Sequence, residues 1–338
     1  MRRLWKPQNL VWVILIPLVW WALGEFPIEK VWETLSRLSL GQILILIFLN
    51  TGILMLLSGR WWIILRAQGY TLPYLNLVGY RLAAFGISYF TPGPQFGGEP
   101  LQIRLARERH YVPGSTALAA VTLDKMLELL ANFTFLTFGL IVALRGGFLE
   151  GRLNEQVLFL ALILLSLPSC YLLALRIGRR PFTWLSGLAF VRRSNSLLIG
   201  KVHQAILSAE IQIASFCKQK PLALFQATLF SVLVWVALLV EYWISLRFLG
   251  LQFNLMQTII VLTAARLAFL SPSPGGLGAL EASQVLAMQV LGIDPALGIS
   301  MSLLIRARDI TIGGLGIWWG SILSGQSWIK ACTSQAGD

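Results

Sequence analysis

The sequence predicts an all-α polytopic membrane protein with about six spanning helices and two re-entrant helical hairpins that form an inverted-topology repeat. The first observation is composition: 56% of the 338 residues are hydrophobic and 12% are charged, and the mean hydropathy is +0.72. This apolar content exceeds that of soluble domains. The other two observations are apolar runs that recur along the whole chain and two Pro/Gly-rich segments that interrupt them at matching places.

Six apolar segments predict spanning helices, judged against the roughly 20 residues that one crossing requires. They cover residues 10–23, 42–65, 115–144, 157–175, 222–249 and 296–323. The first is short, but Trp12, Trp20 and Trp21 and the lack of a small-residue cleavage site favour a retained anchor over a signal peptide. We expect one membrane domain over residues 1–338, without a separate soluble catalytic module.

The loop of residues 176–220 predicts the orientation of the chain. It carries eight lysines and arginines against one acidic residue, Glu210, and short cationic loops stay in the cytoplasm. Arg2, Arg3 and Lys6 place the N-terminus on the same side. We therefore expect a multi-pass protein of the cell membrane, inner or plasma, with both termini in the cytoplasm.

The same loop also holds an amphipathic helix. Its apolar residues recur at alternating steps of three and four: Ile199, Val202, Ile206, Ala209, Ile213 and Phe216. Such a stripe would lie on the cytoplasmic leaflet. Packing on the protein's own surface or in a homodimer would use the same stripe, and the sequence leaves these alternatives open.

Two stretches predict the internal repeat, because an arginine precedes an aspartate by 43 residues both from Arg81 to Asp124 and from Arg266 to Asp309. The orientation places the first hairpin, residues 72–104, on the cytoplasmic side and the second, residues 254–292, on the opposite side. The repeats of residues 42–144 and 221–323 therefore have opposite topology, an arrangement that recurs in transporters. Irregular backbone at membrane depth requires protein or water around it, which predicts a polar cavity between the hairpins.

Ten charged residues fall in or beside apolar segments, where each costs about 2.5–3.5 kcal/mol at the bilayer centre. They are Arg81, Glu99, Asp124, Lys125, Glu128, Arg266, Glu281, Arg306, Arg308 and Asp309. One interpretation is a headgroup site. The other is a set of ion pairs that hold helices together, which the helical spacing of Asp124, Lys125 and Glu128 also allows.

The hairpin glycines have two interpretations as well. They lie where the chain turns into a helix, and free amides at a helix N-terminus bind anions. They are Gly97 and Gly98 before Glu99, and Gly275, Gly276 and Gly278 after Pro274. Flanking arginines favour a phosphate-bearing ligand: Arg81 and Arg104 in the first copy, and Arg266 with Arg306 or Arg308 in the second. The alternative is that the glycines serve only tight turning and close packing.

At these motifs the chain resembles the lysylphosphatidylglycerol synthase transmembrane-region family, also called flippase-like integral membrane proteins. The matching residues are Pro92 through Arg104, Asp124-Lys125, and Pro274-Gly275-Gly276-Leu277-Gly278 through Glu281. The resemblance runs from about residue 42 to residue 323, and the second motif is the more specific. Two departures concern Thr91-Pro92-Gly93-Pro94-Gln95, where relatives have a simpler turn, and Arg306 with Arg308, which compete for one family position.

The resemblance implies movement of a polar-headed lipid across the bilayer, either a phospholipid or a polyprenyl-linked or other glycolipid. Full-length synthases of the family add a soluble aminoacyl-transferase domain, which we do not expect here. We therefore expect transport rather than catalysis, membrane lipids as partners, and no cofactor. Two alternatives are an intramembrane transferase or hydrolase with Glu99 or Asp124 as general acid or base, and a small-solute transporter of the inverted-repeat type.

Two further classes of site are disfavoured by the sequence. Cys170, Cys217 and Cys332 share no short spacing, and the two histidines lie in polar stretches, so neither a disulfide framework nor a zinc site is expected. The net charge of +12 is dispersed among helices, which fits an anionic membrane surface better than a nucleic acid.

Overall fold

The computed structural model describes residues 36, 38–91, 97–147, 153–186, 197–271 and 273–334. Within these ranges every regular element is helical, so the predicted all-α class is confirmed. The first predicted span, residues 10–23, lies outside the described residues. Pro92, Gly93, Pro94 and Pro272 of the two broken segments also lie outside them.

The helices closely follow the predicted apolar segments. The first seven are α1 (Leu40–Ala67), α2 (Tyr74–Phe90), α3 (Glu99–His110), α4 (Gly114–Arg145), α5 (Leu153–Ile177), α6 (Pro181–Ser186) and α7 (Leu197–Gln219). The next are α8 (Pro221–Phe248), α9 (Leu255–Ala268), a 3-10 turn (Pro274–Gly276), α10 (Ala279–Val290) and α11 (Pro295–Ser334).

Three of these helices, α1, α4 and α8, are long and apolar enough to cross a membrane. Large apolar side chains on them are exposed, among them Phe48 on α1 at 78% and Leu222 on α8 at 68%. An extended apolar face of this kind is costly in water and is satisfied by lipid. The helices α5 and α11 cover two further predicted spans, and their crossing of the membrane stays a prediction.

The helices α1 and α8 are two copies of one local structure. Each has 28 residues, and their first residues are 181 positions apart. Each ends at a glycine in the left-handed region, Gly69 at φ 93° and Gly250 at φ 84°. The amide of the next residue returns to the carbonyl five positions earlier, at 3.1 Å in the first copy and 3.0 Å in the second, which is a Schellman ending.

Side chains repeat at the same interval of 181 residues. The indole N–H groups of Trp62 and Trp243 each donate to a backbone carbonyl ten residues later, at 3.1 Å. Arg66 and Arg247 place their guanidinium groups over these two rings, 5.0 Å and 3.9 Å from the ring centroids. Cation–π contacts therefore support both copies.

Each copy continues into a pair of shorter helices with a break between them. Residues 91–98 separate α2 from α3, and residues 269–278 separate α9 from α10. The predicted interruptions are thus present, whereas the re-entrant path and the inverted orientation stay predictions. Arg81 is the eighth residue of α2 and Arg266 the twelfth of α9, so these two arginines differ by about one helical turn.

The amphipathic segment forms α7, whose apolar stripe packs on α4, α5 and α6. Ala209, Ile213 and Phe216 are buried, so the stripe covers the protein's own surface. Glu210 is also buried, and its carboxylate accepts hydrogen bonds at 2.9 Å from the amides of Phe182 and Thr183. These amides belong to the first turn of α6, where an anion satisfies otherwise unpaired donors.

The chain folds into two compact units. Among the described residues, unit 1 holds those up to Leu49, together with Arg81–Glu99 and those from Leu239 onward. Unit 2 holds Asn50–Tyr80 and Pro100–Leu238. The boundaries fall inside helices α1, α2, α3 and α8, because these helices are long enough to contribute residues to both units.

Candidate functional site

Unit 2 contains a buried group of charges centred on Arg60, which we call the Arg60 cluster. The Arg60 side chain is 2% exposed, and its Nε lies 2.6 Å from Oδ1 of Asp124. Its two terminal nitrogens donate to Glu128 Oε2 at 3.1 Å and to Ser231 Oγ at 3.2 Å. Lys125 adds an ion pair with Glu128 at 2.9 Å. The cluster therefore fastens α1, α4 and the first half of α8 together.

This geometry supports the ion-pair interpretation for the predicted residues of α4. Asp124 and Glu128 lie on one helical face, and a single guanidinium from α1 bridges them. Two cations, Arg60 and Lys125, balance the two carboxylates. Pairing of this quality is what permits charges in a low-dielectric interior. A headgroup role for Asp124, Lys125 and Glu128 stays a prediction.

Unit 1 contains a second group of charges on α11, which we call the Arg306–Arg308 cluster. The Arg306 side chain has no exposed surface, and its Nε and Nη2 donate to the two carboxylate oxygens of Glu281. The Nη1 and Nη2 groups also donate to the carbonyls of Gly275 and Gly276, each at 3.3 Å. Arg306 thus fastens α11 to the 3-10 turn and to the first turn of α10.

Arg308 has different partners in the same cluster. Its Nη1 lies 3.1 Å from both carboxylate oxygens of Glu241 on α8. Its Nε donates to Asp309 Oδ1 at 2.8 Å. Arg266, in the last turn of α9, interacts electrostatically with Arg308, Asp309 and Glu241. Three arginines therefore face three carboxylates, and the two arginines that the sequence did not distinguish have separate structural roles.

The two broken segments meet within unit 1. Tyr89 and Phe90, at the end of α2, are each 2% exposed and pack against Leu277 and Ile310. Gly275, at φ +55°, lies so close to Tyr89 that an added Cβ would be 2.8 Å from the ring carbon Cζ. Only glycine allows both this backbone conformation and this approach. The tip of the first hairpin therefore contacts the tip of the second next to the charged turn of α11.

The hairpin amides differ from the expectation. Gly97 donates its N–H to Glu99 Oε2 at 2.8 Å, and Gly98 donates to Ser88 Oγ at 2.9 Å. The amide of Gly276 donates to the Ser273 carbonyl at 3.1 Å. The prediction that the glycine amides are free for an anion is wrong for these three, because the chain supplies its own acceptors. Gly278 lies at the N-cap of α10, with φ 76°.

The remaining predicted residues lie in different surroundings. Arg81 is 7% exposed and belongs to unit 1. Arg104 belongs to unit 2, where its Nε lies 2.8 Å from Oε1 of Glu108 in a partly exposed ion pair. It also lines a surface cavity of about 380 Å³ together with Arg107 and Tyr111.

Sequence reasoning missed Arg60, Glu241, Ser231 and Tyr89. The signal for the first two was present, because Arg60 and Glu241 each stand two residues before the repeated tryptophan, in Arg-Trp-Trp-Ile-Ile-Leu-Arg and Glu-Tyr-Trp-Ile-Ser-Leu-Arg. Ser231 and Tyr89 carried no such signal, since a lone serine or tyrosine in an apolar helix is ordinary. Within the described ranges, no three His, Cys, Asp or Glu side chains are grouped so as to hold a metal ion.

Comparison with known proteins gives a consistent result. The family described as "Lysylphosphatidylglycerol synthase TM region" matches residues 10–316 of the chain. A UPF0104 membrane protein of Methanothermobacter thermautotrophicus is 23% identical over 283 residues, which cover 81% of this chain and 82% of that protein. A UPF0104 membrane protein of Pyrococcus horikoshii is 22% identical over 313 residues, covering 87% and 89%.

Proposed function

Since the chain belongs to the lysylphosphatidylglycerol synthase TM region family, we propose that it is a flippase-like transporter that moves a phosphate-bearing lipid headgroup between the leaflets of a membrane. The family description refers to the membrane region of a lipid-modifying enzyme. The UPF0104 relatives are named only as membrane proteins. Lipid as the substrate class is therefore the part of the proposal that the family suggests.

The observation that carries the proposal is the meeting of both hairpin tips at the charged turn of α11. Tyr89 from the first tip and Gly275 from the second lie against each other, and Arg306 binds the second tip through two of its carbonyls. Interrupted helices that meet beside buried charges are the usual substrate site of inverted-repeat transporters. This arrangement supports a headgroup site in unit 1.

The chemistry of the Arg306–Arg308 cluster suits a phosphate. An arginine fork binds a carboxylate and a phosphate with the same geometry, so an arriving phosphate would replace Glu241 or Asp309 at Arg308. The side chain of Arg308 is 20% exposed, whereas that of Arg306 has no exposed surface. We assign the headgroup contact to Arg308 and the support of the hairpin to Arg306.

We further propose that the protein makes no new covalent bond. The arginines and carboxylates of the cluster neutralise one another, and headgroup exchange between them needs no group transfer. Purified protein incubated with lipid-linked sugar or phospholipid is then expected to return the lipid chemically unchanged, as read by mass spectrometry. A new lipid product would favour the transferase or hydrolase alternative.

The test is phospholipid movement in reconstituted vesicles. Wild type is expected to expose fluorescent phosphatidylglycerol from the inner leaflet to an external quencher, and Arg308→Gln to slow this by about tenfold or more, because one charge-assisted contact is lost. Arg308→Lys keeps the charge but loses the fork, so an intermediate rate is expected. Arg66→Gln, which changes an exposed arginine stacked on Trp62, is the matched control. Equal rates in wild type and folded Arg308→Gln would overturn the proposal.

We place the protein in the cell membrane with both termini in the cytoplasm, on the strength of the basic loop of residues 176–220. A reporter fused to the C-terminus that is active only in the cytoplasm checks this orientation. Homodimer formation stays a prediction, which the mass of the protein in nanodiscs tests.

A further inference from the structure

Tyr89 is held rigidly at the point where the two tips meet. Its ring stacks on Phe85, with centroids 5.9 Å apart and planes at 25°. It meets Phe90 edge-on, with centroids 5.2 Å apart. Leu277 and Ile310 complete the packing around this pair. Such contacts fix the direction of the phenol, because a ring packed on both sides cannot change rotamer without disturbing its neighbours.

The hydroxyl at the end of this ring has no hydrogen-bond partner among the described residues. Three other helical tyrosines have one. Tyr242 donates to Gln284 Oε1 at 2.6 Å, Tyr74 donates to a carbonyl at 2.6 Å, and the Tyr80 hydroxyl lies 2.9 Å from a histidine nitrogen. Tyr171 also lacks one, but it lies beside the Glu210 carboxylate.

An unpaired buried hydroxyl is unfavourable by about 1–3 kcal/mol. A phenylalanine would fill the same ring position without this cost, and phenylalanines do occupy positions 85 and 90 on either side. The hydroxyl therefore serves no visible packing purpose in unit 1. Buried polar atoms that the chain leaves unsatisfied are expected where a ligand supplies the missing partner.

The surroundings of the hydroxyl indicate the chemistry of that partner. Arg306, Arg308 and Asp309 are its charged neighbours on α11. Gly275 brings the backbone of the second tip to within 3.0 Å of the hydroxyl, measured from the position of an added Cβ. The donors of Arg306 point at Glu281 and at the glycine carbonyls. The phenol is thus a directed donor next to a group of arginines, with an apolar wall on its other side.

We propose that the Tyr89 hydroxyl is a substrate-binding group that donates a hydrogen bond to a phosphate oxygen of the transported lipid. This rests on the proposed function. A phosphate oxygen is the strongest acceptor that a lipid offers, because it is charged. The apolar wall of Phe85, Phe90, Leu277 and Ile310 faces the glycerol and the first acyl carbons. The headgroup reaches the hydroxyl when the two tips separate, as alternating access requires.

The test is the single-atom change Tyr89→Phe in the full chain. The variant is expected to bind short-chain phosphatidylglycerol about tenfold more weakly than wild type in detergent, while its Tm stays equal or rises, since an unsatisfied hydroxyl is removed. Tyr242→Phe is the matched stability control. It removes a hydroxyl that donates to Gln284, so its Tm is expected to fall.

A glucosyl-diacylglycerol with the same acyl chains separates phosphate from other headgroup oxygens. Its binding is expected to be equal in wild type and Tyr89→Phe, and a loss confined to this glycolipid would overturn the phosphate assignment. Equal phosphatidylglycerol binding by wild type and Tyr89→Phe would overturn the role of Tyr89 alone. A fall in the Tm of Tyr89→Phe would also overturn it, because it would reveal a protein partner for the hydroxyl. Absence of phosphatidylglycerol binding and movement in wild type would instead overturn the proposed function itself, and this inference with it.

Discussion

Arg60 and Glu241 occupy the same position in the two copies, 181 residues apart, and carry opposite charges. Each reaches the long helix that follows its own pair of short helices: Arg60 binds Asp124 on α4, and Glu241 binds Arg308 on α11. A buried ion pair is kept only when both partners are present, because removing one leaves the other charge uncompensated. The opposite signs keep each pair neutral.

Replacing Arg60 is therefore expected to be strongly destabilising. Arg60→Gln leaves Asp124 buried without a counter-charge, which costs about 3–5 kcal/mol. Arg104→Gln is the matched control, because it removes a partly exposed arginine paired with Glu108, and pairs of that kind contribute about 0–1 kcal/mol. Thermal unfolding in detergent measures both. Similar Tm values for the two variants would show that the Arg60 cluster does not stabilise unit 2.

At the scale of elements, the second half of α2 packs against α11 within unit 1 through glycines. An added Cβ on Gly316 would lie 2.2 Å from the Leu82 carbonyl oxygen, and one on Gly86 would lie 2.6 Å from the Gly313 carbonyl oxygen. In a membrane, helices associate through such close backbone approach, because lipid offers no hydrophobic driving force between them. This contact holds Tyr89 and the Arg306–Arg308 cluster on facing helices.

Gly316 and Gly314 offer a matched pair of substitutions on one helix. Gly316→Ala places its methyl group against the backbone of α2 and is expected to cost about 1–3 kcal/mol. Gly314→Ala enters open space and is expected to be neutral or stabilising by up to about 1 kcal/mol, since alanine favours a helix. The Tm of each variant gives the result. A Gly316→Ala protein as stable as Gly314→Ala would rule out the close packing of α2 on α11.

At the scale of the whole molecule, the repeat is defined by an interval rather than by motif spelling. The starts of α1 and α8, their Schellman endings and the tryptophan hydrogen bonds all recur after 181 residues. At this interval Asp309 corresponds to Glu128, whereas the 43-residue interval from the arginines pairs it with Asp124. Helix boundaries are the better guide, because backbone hydrogen bonds fix them independently of any one side chain.

Equivalent loop positions test the inverted topology. Thr71 and Gln252 are both exposed and 181 residues apart, so a parallel repeat would place them on the same side of the membrane. We expect Thr71→Cys to react only from the cytoplasm and Gln252→Cys only from outside, in a chain whose three native cysteines are replaced by serine. A membrane-impermeant maleimide applied before and after permeabilisation measures this. Labelling of both cysteines from one side would exclude the inverted arrangement.

Much of the architecture was predictable, because the membrane imposes long apolar runs that the sequence displays directly. The limits of α1, α4 and α8 lie within two residues of the predicted segments, and the breaks fall at the predicted prolines and glycines. The partners of the charges were not predictable. Arg306 and Arg308 are two residues apart in one helix, and only packing decides which of them meets Glu281 and which meets Glu241.

The sequence by itself determined that this protein is helical, that it belongs in a membrane, and that charges and helix breaks recur in two halves. Those properties follow from local composition and spacing, which act before any long-range contact forms. Only the tertiary structure decided that Arg60 neutralises Asp124, that the glycine amides are already occupied, and that Tyr89 lies against Gly275 with its hydroxyl unpaired. Such contacts join residues far apart in the chain, and their free energy depends on burial and direction, which no spacing rule encodes.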